Sequence, residues 1–354
     1  MQPLLVYLAA LTVHAAAFQV HAPLRVHSQS QNSAASTMRR ARTPWVKKLP
    51  EDMEREAVEA PIEMESSDQY EYSPEPEVIR DASQRPPPDA WGMGSTLVIG
   101  NDEISYTAVR GARQPAILYL SAFDSPSRDF KAERIQRYCE REEYSFISME
   151  WYGVGESDGD FEQGTISRWK QDAMTLISKL LPHQYQKLVI VGGGVGGWIA
   201  TLIGLELPNK VTGIVGLAAD PDFTHNLLLR YLPRNKMEEI ETKGMAIIEW
   251  GQTSYPVTKR LIEDASENLV LQGPVGGLPI HCPVRLIHGL DDEEVPYTVS
   301  LDLSRRLASP NVNLYLVKTA NHHLDNTAIL DMVIDSIEEV IANAPIEPQR
   351  NDIV

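Results

Sequence analysis

Cysteine is scarce in this chain, with only Cys139 and Cys282 among 354 residues. Each lies beside a predicted core strand or helix, which favours small buried hydrophobes over a disulfide or a metal site. Long hydrophobic runs are also missing, since no stretch reaches the roughly 20 apolar residues that cross a bilayer. Positive charge is in deficit, and a net charge of −17 with a pI near 5.0 argues against nucleic acid or anionic membrane as a partner.

Acidic residues are absent from the first 50 positions. Residues 3–13 form a short apolar segment, and Ala15 and Ala17 are the small residues of a cleavage site before Phe18. The rest of this region, rich in arginine and serine, has transit-peptide composition. The pattern predicts a bipartite leader over residues 1–50, of the kind that directs proteins into complex algal plastids. A mitochondrial leader and simple secretion are the alternatives.

The next segment is poor in bases and in core-forming residues. Residues 51–90 contain 13 acidic residues against 3 basic ones, interspersed with prolines. Such a composition cannot bury enough apolar surface to form a core. The sequence therefore predicts a disordered acidic linker over residues 51–94 and a folded domain over residues 95–345.

The folded domain alternates between strand-like and helix-like patterns. Two short strands around Asn101-Asp102 predict a hairpin, and repeated strand–helix units follow. This order predicts an α/β fold with a mostly parallel sheet covered by helices on both faces. Residues 219–281 interrupt the alternation and predict a small helical cap, with turns at 255–258 and 273–279.

One stretch, residues 186–207, combines an apolar strand, a glycine turn and an apolar helix. The turn, residues 192–197, contains five glycines and admits two functional interpretations. Gly192-x-Gly194-x-x-Gly197 matches the fingerprint of a dinucleotide-binding fold, which would hold FAD or NAD. The same turn also matches the nucleophile elbow of α/β-hydrolases, G-x-S-x-G, with Gly194 where serine should stand.

The dinucleotide interpretation fits poorly elsewhere in the chain. A fingerprint of this kind usually opens its domain, whereas several predicted strands precede this one. The acid that would bind the ribose is expected about 20 residues further on. The nearest candidate, Asp220, lies beyond that distance.

The hydrolase interpretation requires an acid and a histidine after later strands, in the order nucleophile, acid, histidine. Asp292 follows the predicted strand 284–288, and His322 follows the strand 313–317. The carboxyl ends of parallel strands meet at one edge of a sheet. An aspartate there can orient and charge-balance an imidazole.

A second G-x-S-x-G pattern, Gly155 to Gly159, places Ser157 ahead of the same acid and histidine. The preceding strand ends several residues earlier, and no helix begins until about Thr165. An elbow needs a sharp turn from strand to helix. Ser157 is therefore kept as the alternative nucleophile.

Residues 95–343 resemble the palmitoyl-protein thioesterase and acyl-glucuronide esterase group of α/β-hydrolase-domain proteins. The motifs that carry the resemblance are Gly153-Val-Gly-Glu-Ser-Asp-Gly159, Thr165-x3-Trp169-x2-Asp172, Gly196-Gly-Trp198, Cys282-Pro-Val-Arg-Leu-Ile-His-Gly289 and Val295-Pro296. The resemblance implies an α/β-hydrolase fold and hydrolysis of thioesters or carboxylic esters, with no cofactor or metal.

Carried over to this chain, the resemblance makes His322 the general base and Asp292 its partner. It assigns the oxyanion hole to the backbone N–H groups of Phe123 and Val195. The nucleophile position is occupied by Gly194, which adopts strained backbone conformations at little cost. We therefore expect a protein that binds a small acyl ester or thioester and is non-catalytic or weakly active, the His322–Asp292 dyad then acting directly on water. The alternatives are an active hydrolase using Ser157 and a dinucleotide-binding protein.

Overall fold

The structure, a computed structural model, describes residues 90–123, 129–250 and 253–345. The predicted leader and nearly all of the predicted linker lie outside the described residues. Residues 90–94, assigned to the linker from the sequence, already contact the folded domain. The hydroxyl of Tyr106 donates to the carbonyl of Ala90 at 2.8 Å, and the N–H of Ala108 donates to the carbonyl of Gly92 at 2.9 Å.

The described residues contain an eight-stranded sheet and a separate two-stranded hairpin. The strands are β1 Ser95–Ile99, β2 Asp102–Val109, β3 Arg113–Leu120, β4 Tyr144–Met149, β5 Leu188–Gly193, β6 Val211–Leu217, β7 Met245–Trp250, β8 Thr253–Thr258, β9 Val284–Gly289 and β10 Val312–Val317. The order in the large sheet is β1-β2-β4-β3-β5-β6-β9-β10. The pairs β1·β2 and β2·β4 are antiparallel and the other pairs are parallel. The hairpin predicted around Asn101-Asp102 is confirmed.

Helices cover both faces of this sheet. The α-helices of the described residues are α1 Phe130–Arg141, α2 Ile166–Leu180, α3 Val195–Glu206, α4 Leu229–Tyr231, α5 Arg234–Lys243, α6 Lys259–Ser266, α7 Thr298–Arg306 and α8 Thr327–Ala342. The apolar sides of α1 and α8 share one core, and those of α2, α3 and α7 share another. Strands that are buried on both faces are mostly apolar, as the fully buried β5 is. β9 is equally buried but carries Arg285 and His288, whose side chains have hydrogen-bond partners.

The cap segment differs from the prediction, because it contains an antiparallel hairpin in addition to helices. β7 pairs with β8, and residues 255–258, predicted as a turn, lie on β8. Pro256 argued against a strand, since proline cannot donate to a sheet ladder. A two-stranded hairpin has only edge strands, which tolerate proline. Ala246, Ile248 and Val257 form a small buried cluster with residues of the preceding helices.

Both cysteines are free. Cys282, predicted to be buried, is only partly buried. Cys139 is fully buried on α1, and burial raises the pKa of its thiol well above the usual range. Among the described residues, no group of three or more His, Cys, Asp or Glu side chains could hold a metal ion. No helix within those residues has the length and apolarity needed to cross a membrane.

Candidate active site

A sharp turn joins β5 directly to α3. Gly194 is the single residue between them and has φ 50° and ψ −122°, a region that side-chain-bearing residues adopt only under strain. Its N–H donates to the carbonyl of Leu217 at 3.1 Å. Its carbonyl accepts from the N–H groups of Gly197 at 3.0 Å and Asp220 at 3.1 Å. The backbone therefore has the strand–turn–helix form of a nucleophile elbow, with no side chain at its tip.

The neighbouring glycines are required by close packing. A Cβ at Gly192 would lie 2.4 Å from the carbonyl oxygen of Gly196, and a Cβ at Gly196 would lie 2.2 Å from the carbonyl oxygen of Leu120. A Cβ at Gly194 would meet only Ala122, with a nearest distance of 3.0 Å to its Cβ. Contacts within the protein thus account for the glycine-rich turn, which weakens the dinucleotide interpretation. They also leave position 194 able to accept a small side chain.

Asp292 and His322 meet across the loops that follow β9 and β10. Nδ1 of His322 lies 2.9 Å from Oδ2 of Asp292. The other carboxylate oxygen accepts from the N–H groups of Glu294 at 2.9 Å and Val295 at 2.8 Å. The Asp292 side chain is fully buried, whereas that of His322 keeps 12 % exposure. The carboxylate of Asp292 thus fixes the orientation of the His322 imidazole through its Nδ1 atom.

The pKa values of Asp292 and His322 are shifted in opposite directions. Burial alone would raise the pKa of Asp292, but hydrogen bonds with His288, His322 and Val295 outweigh it and hold that pKa well below its usual range. Burial works to lower the pKa of His322, while the hydrogen bond to Asp292 and its negative charge raise it overall. An ionised acid beside a basic imidazole is the arrangement that moves protons in acyl transfer.

A second imidazole supports the acid, and the sequence analysis missed it. Nε2 of His288 lies 3.2 Å from Oδ2 of Asp292 and 2.9 Å from the carbonyl of Val295. Its Nδ1 lies 2.7 Å from the hydroxyl of Ser300. His288 is fully buried. The only signal in the sequence was a histidine at the end of β9, four residues before the acid.

A cavity opens above the elbow, with about 80 Å³ of space available to the centres of water molecules. Gly194, Val195, Phe123, His322 and Asp220 all contribute to its wall. The remaining lining residues come mostly from the cap and are Ala122, Phe161, Phe223, Leu228, Ile248, Trp250, Tyr255, Pro256, Val257, Leu261, Glu294 and Val295. The structure thus joins five strand ends and the cap hairpin around a mostly apolar space.

The two residues expected to form the oxyanion hole flank the elbow. Val195 is the first residue of α3 and is buried. Phe123 follows β3 and is only partly buried. Its ring packs against Trp169 with centroids 4.6 Å apart and against Phe161 at 5.1 Å. Aromatic packing therefore anchors the loop that carries Phe123.

Ser157, the alternative nucleophile, has its hydroxyl engaged in two hydrogen bonds to the protein backbone. Its hydroxyl accepts from the N–H of Ser105 at 2.9 Å and donates to the carbonyl of Glu150 at 3.0 Å. The N–H of the next residue, Asp158, donates to the carbonyl of Glu103 on β2 at 2.8 Å, and the Asp158 carboxylate accepts from the N–H of Glu103 at 2.8 Å. These bonds fasten the loop to the sheet edge, and Ser157 is not among the residues that line the cavity.

No family model matches this sequence. Among curated proteins, the chain is similar to the protein named palmitoyl-protein thioesterase ABHD10, mitochondrial, of Mus musculus, with 28% identity over 275 residues that cover 73% of this chain and 88% of the relative. The Homo sapiens protein of the same name is 28% identical over 245 residues, covering 67% of this chain and 76% of the relative.

Two solved structures are similar at a comparable level. The mouse α/β hydrolase domain-containing protein 10 is 27% identical with a TM-score of 0.62, covering 70% of this chain and 98% of that one. A putative hydrolase from Agrobacterium vitis S4 is 28% identical with a TM-score of 0.65, covering 70% and 97%. The predicted fold is thereby confirmed, as is the predicted resemblance. This chain is an α/β-hydrolase-fold protein related to the ABHD10 palmitoyl-protein thioesterases.

Proposed function

We propose that this protein binds acyl esters or thioesters in the cavity above the elbow and hydrolyses them poorly or not at all. The observation that carries the proposal is Gly194, which has the backbone of a nucleophile elbow and no side chain. The relatives named above are thioesterases and hydrolases, which favours an acyl ligand. The apolar lining of the cavity suits an acyl chain.

The expected rate explains why loss of the hydroxyl matters. In subtilisin, an unrelated serine hydrolase, removal of the serine nucleophile lowers turnover by about 10⁶. A typical enzyme turns over at about 10 s⁻¹. Dividing this turnover by that loss leaves about 10⁻⁵ s⁻¹, or roughly one event per day. Such a rate is too slow for metabolic hydrolysis and compatible with a binding role.

A serine restored at 194 would complete a covalent mechanism. Its oxygen would attack the acyl carbon while His322 takes its proton, and the carbonyl oxygen would gain negative charge near the Val195 and Phe123 N–H groups. The imidazolium would then give that proton to the departing alcohol or thiol. Water would release the acyl group as a carboxylic acid by the same route in reverse.

The test compares wild type, Gly194→Ser and Gly194→Ser/His322→Ala on para-nitrophenyl acyl esters and acyl thioesters. We expect Gly194→Ser to exceed wild type by at least 100-fold in kcat/KM, since a full recovery is near 10⁶ and even the loss of one oxyanion donor would remove only about 10²–10³ of it. The double variant should return to the wild-type level. A fluorophosphonate serine probe should label Gly194→Ser at residue 194 and leave that residue unlabelled in wild type.

Gly194→Ala is the matched control, because it adds the same Cβ without a hydroxyl. It should remain as inactive as wild type. Robust wild-type turnover that Ser157→Ala abolishes would overturn the proposal and make Ser157 the nucleophile. An equal gain in Gly194→Ala and Gly194→Ser would show that the hydroxyl is not what the site lacks.

The His322–Asp292 pair supports a second candidate, slow hydrolysis without a covalent intermediate. An imidazole whose pKa is raised by its carboxylate partner can take a proton from water as that water attacks the acyl carbon. The proton then passes to the leaving group. Wild-type turnover unaffected by Ser157→Ala and lost in His322→Ala would favour this mechanism.

We also propose that residues 1–50 deliver the protein to an organelle and that residues 51–89 serve mainly as a spacer. A fluorescent fusion to residues 1–50, expressed in cells that contain both plastids and mitochondria, separates the plastid expectation from the mitochondrial alternative. Limited proteolysis should leave a resistant fragment of about residues 90–345. Protection of residues 51–89 would contradict the spacer role.

A further inference from the structure

Asp220 is a buried acid at the cavity wall that has no role in the mechanism above. It follows β6, is 8 % exposed, and lines the cavity beside Gly194 and His322. Its Oδ1 has no hydrogen-bond partner among the described residues. Buried polar atoms are rarely left unpaired, because each costs about 1–3 kcal/mol. An unpaired oxygen in a ligand-sized cavity indicates that the ligand supplies the partner.

The loop around Asp220 is held in place from two sides. The N–H of Asp220 donates to the carbonyl of Gly194 at 3.1 Å. The carboxylate of Asp222 accepts from the N–H groups of Val270 and Leu271, each at 2.8 Å. Asp222 itself has φ 60°, a strained value that these bonds maintain. The Asp220 side chain is therefore presented to the cavity by a fixed backbone.

The surroundings of Asp220 are acidic and apolar. The charged and titratable groups that act on it are His322, Asp292, Glu294 and Asp222. Among the residues that the structure describes, no lysine or arginine lines the cavity. Burial, together with these acids, raises the pKa of Asp220 to about 8, against the opposing influence of His322. At neutral pH the carboxyl consequently carries a proton and can donate it in a hydrogen bond.

We propose that the carboxylic acid of Asp220 donates a hydrogen bond to the carbonyl oxygen of an uncharged acyl ligand, and that Asp220 makes the cavity reject free carboxylates. This inference rests on the proposed binding of acyl compounds. A carboxylate ligand would meet Glu294 at the cavity wall, and among the described residues the imidazole of His322 is the one lining side chain that can carry a positive charge. An ester, thioester or ketone brings an acceptor without a charge. The site thus discriminates between an acyl ester and the acid that its hydrolysis would release.

An amine ligand is the competing occupant, since acids and aromatic rings can also hold a cation. The aromatic rings here are turned toward one another. Phe123 packs against Phe223 at 6.4 Å and against Tyr255 at 6.4 Å, in addition to Phe161 and Trp169. Rings engaged in mutual edge and tilted contacts do not form an open cage. The geometry favours an apolar ligand with a neutral head.

The test is calorimetric binding of three ten- or eleven-carbon probes, 2-undecanone, decanoate and decylamine, at pH 6.5 and pH 9.5. The ketone has no leaving group, so residual hydrolysis cannot affect its binding. We expect wild type to bind 2-undecanone at pH 6.5 at least tenfold more tightly than decanoate or decylamine. Ketone binding should weaken about tenfold at pH 9.5, the loss of one hydrogen bond.

Variants distinguish a pH dependence caused by titration of Asp220 from one caused by titration of His322. Asp220→Asn keeps an N–H donor at every pH and should bind the ketone equally at both pH values. Asp220→Ala should bind it about tenfold more weakly than wild type at pH 6.5 and show no pH dependence. Glu294→Gln, at the other acid that lines the cavity near His322, should keep the pH dependence of wild type.

Each failure has a separate meaning. Ketone binding that is equal in Asp220→Ala and wild type, or decanoate or decylamine binding as tight as that of the ketone, overturns the role of Asp220 and leaves the proposed function standing. Wild type that binds none of the three probes overturns both. Ester hydrolysis by wild type together with Asp220-dependent ketone binding overturns only the proposed loss of activity. Thermal melts of all variants verify that each is folded.

Discussion

The two sides of the cavity differ in how well their polar groups are satisfied. On the imidazole side, the carboxylate of Asp292 contacts His322, His288 and two backbone N–H groups. On the elbow side, Gly194 has no side chain, and Asp220 keeps an oxygen without a partner among the described residues. The acid of the imidazole side also holds its own loop together, so the fold needs Asp292 even where catalysis does not. The hydroxyl of an elbow serine carries no such structural duty.

The largest expected effect is a loss of kcat on disrupting the Asp292–His322 pair of the imidazole side. In the Gly194→Ser protein, Asp292→Asn should lower kcat by about 10⁴, because an amide no longer holds the imidazole in the productive tautomer. Steady-state hydrolysis of a para-nitrophenyl ester measures this loss. Asp302→Asn, an exposed acid on α7, is the control and should leave kcat unchanged. A loss below tenfold in Asp292→Asn would mean that the pair does not act as a unit.

The next effect concerns stability on the elbow side. Gly196→Ala should lower the free energy of unfolding by about 3 kcal/mol, because its Cβ would collide with backbone that cannot move aside. Gly194→Ala should cost only about 1 kcal/mol, the strain of a positive φ. Urea denaturation measures both. Equal losses would show that position 194 is as tightly packed as position 196.

A third prediction concerns the unpaired acid. The folded-state pKa of Asp220, about 8, lies above its unfolded value, so the folded state binds more protons between the two pKa values. Protonation of Asp220 therefore stabilises the folded state fully at pH values below the unfolded pKa. This stabilisation is lost as the pH rises through the folded pKa of about 8. Asp220→Ala should therefore flatten this decline and be more stable than wild type by about 1–3 kcal/mol at pH 9. Parallel curves for the two proteins in urea titrations from pH 4 to pH 9 would contradict the assignment.

The smallest expected effect is a shift in the pH dependence of kcat/KM, which reports the influence of nearby acids on His322. In Gly194→Ser, kcat/KM should rise with pH through an apparent pKa above the usual ~6.5 of histidine, since Asp292 and Glu294 raise the pKa of His322. Glu294→Gln should move this rising limb to lower pH by less than one unit. A pH–rate profile of both proteins measures the shift. A shift in the opposite direction would show that Glu294 does not act through its charge.

Local patterns in the sequence predicted most of the fold. The apolar run at β5 is recognisable because a parallel sheet buries both faces of its strands. The order of elbow, acid and histidine predicted Asp292 beside His322, and the structure brings these two residues together. The cap hairpin was missed, because Pro256 is acceptable only on edge strands, and strand neighbours are not visible in a local pattern.

The sequence by itself determined the individual strands and helices, the glycine turn and the missing hydroxyl at 194, because each depends on residues near one another in the chain. Only the tertiary structure buried Asp220 at the cavity wall beside Gly194 and His322; the sequence offered this residue as a possible ribose-binding acid. Its burial depends on cap, elbow and loop residues that are distant in sequence. Besides burial, the acids that raise its pKa include Asp292 and Glu294 in the loop after β9, whereas His322 in the loop after β10 lowers it. Desolvation and charge interactions depend on distance in space, and local sequence patterns do not encode that distance.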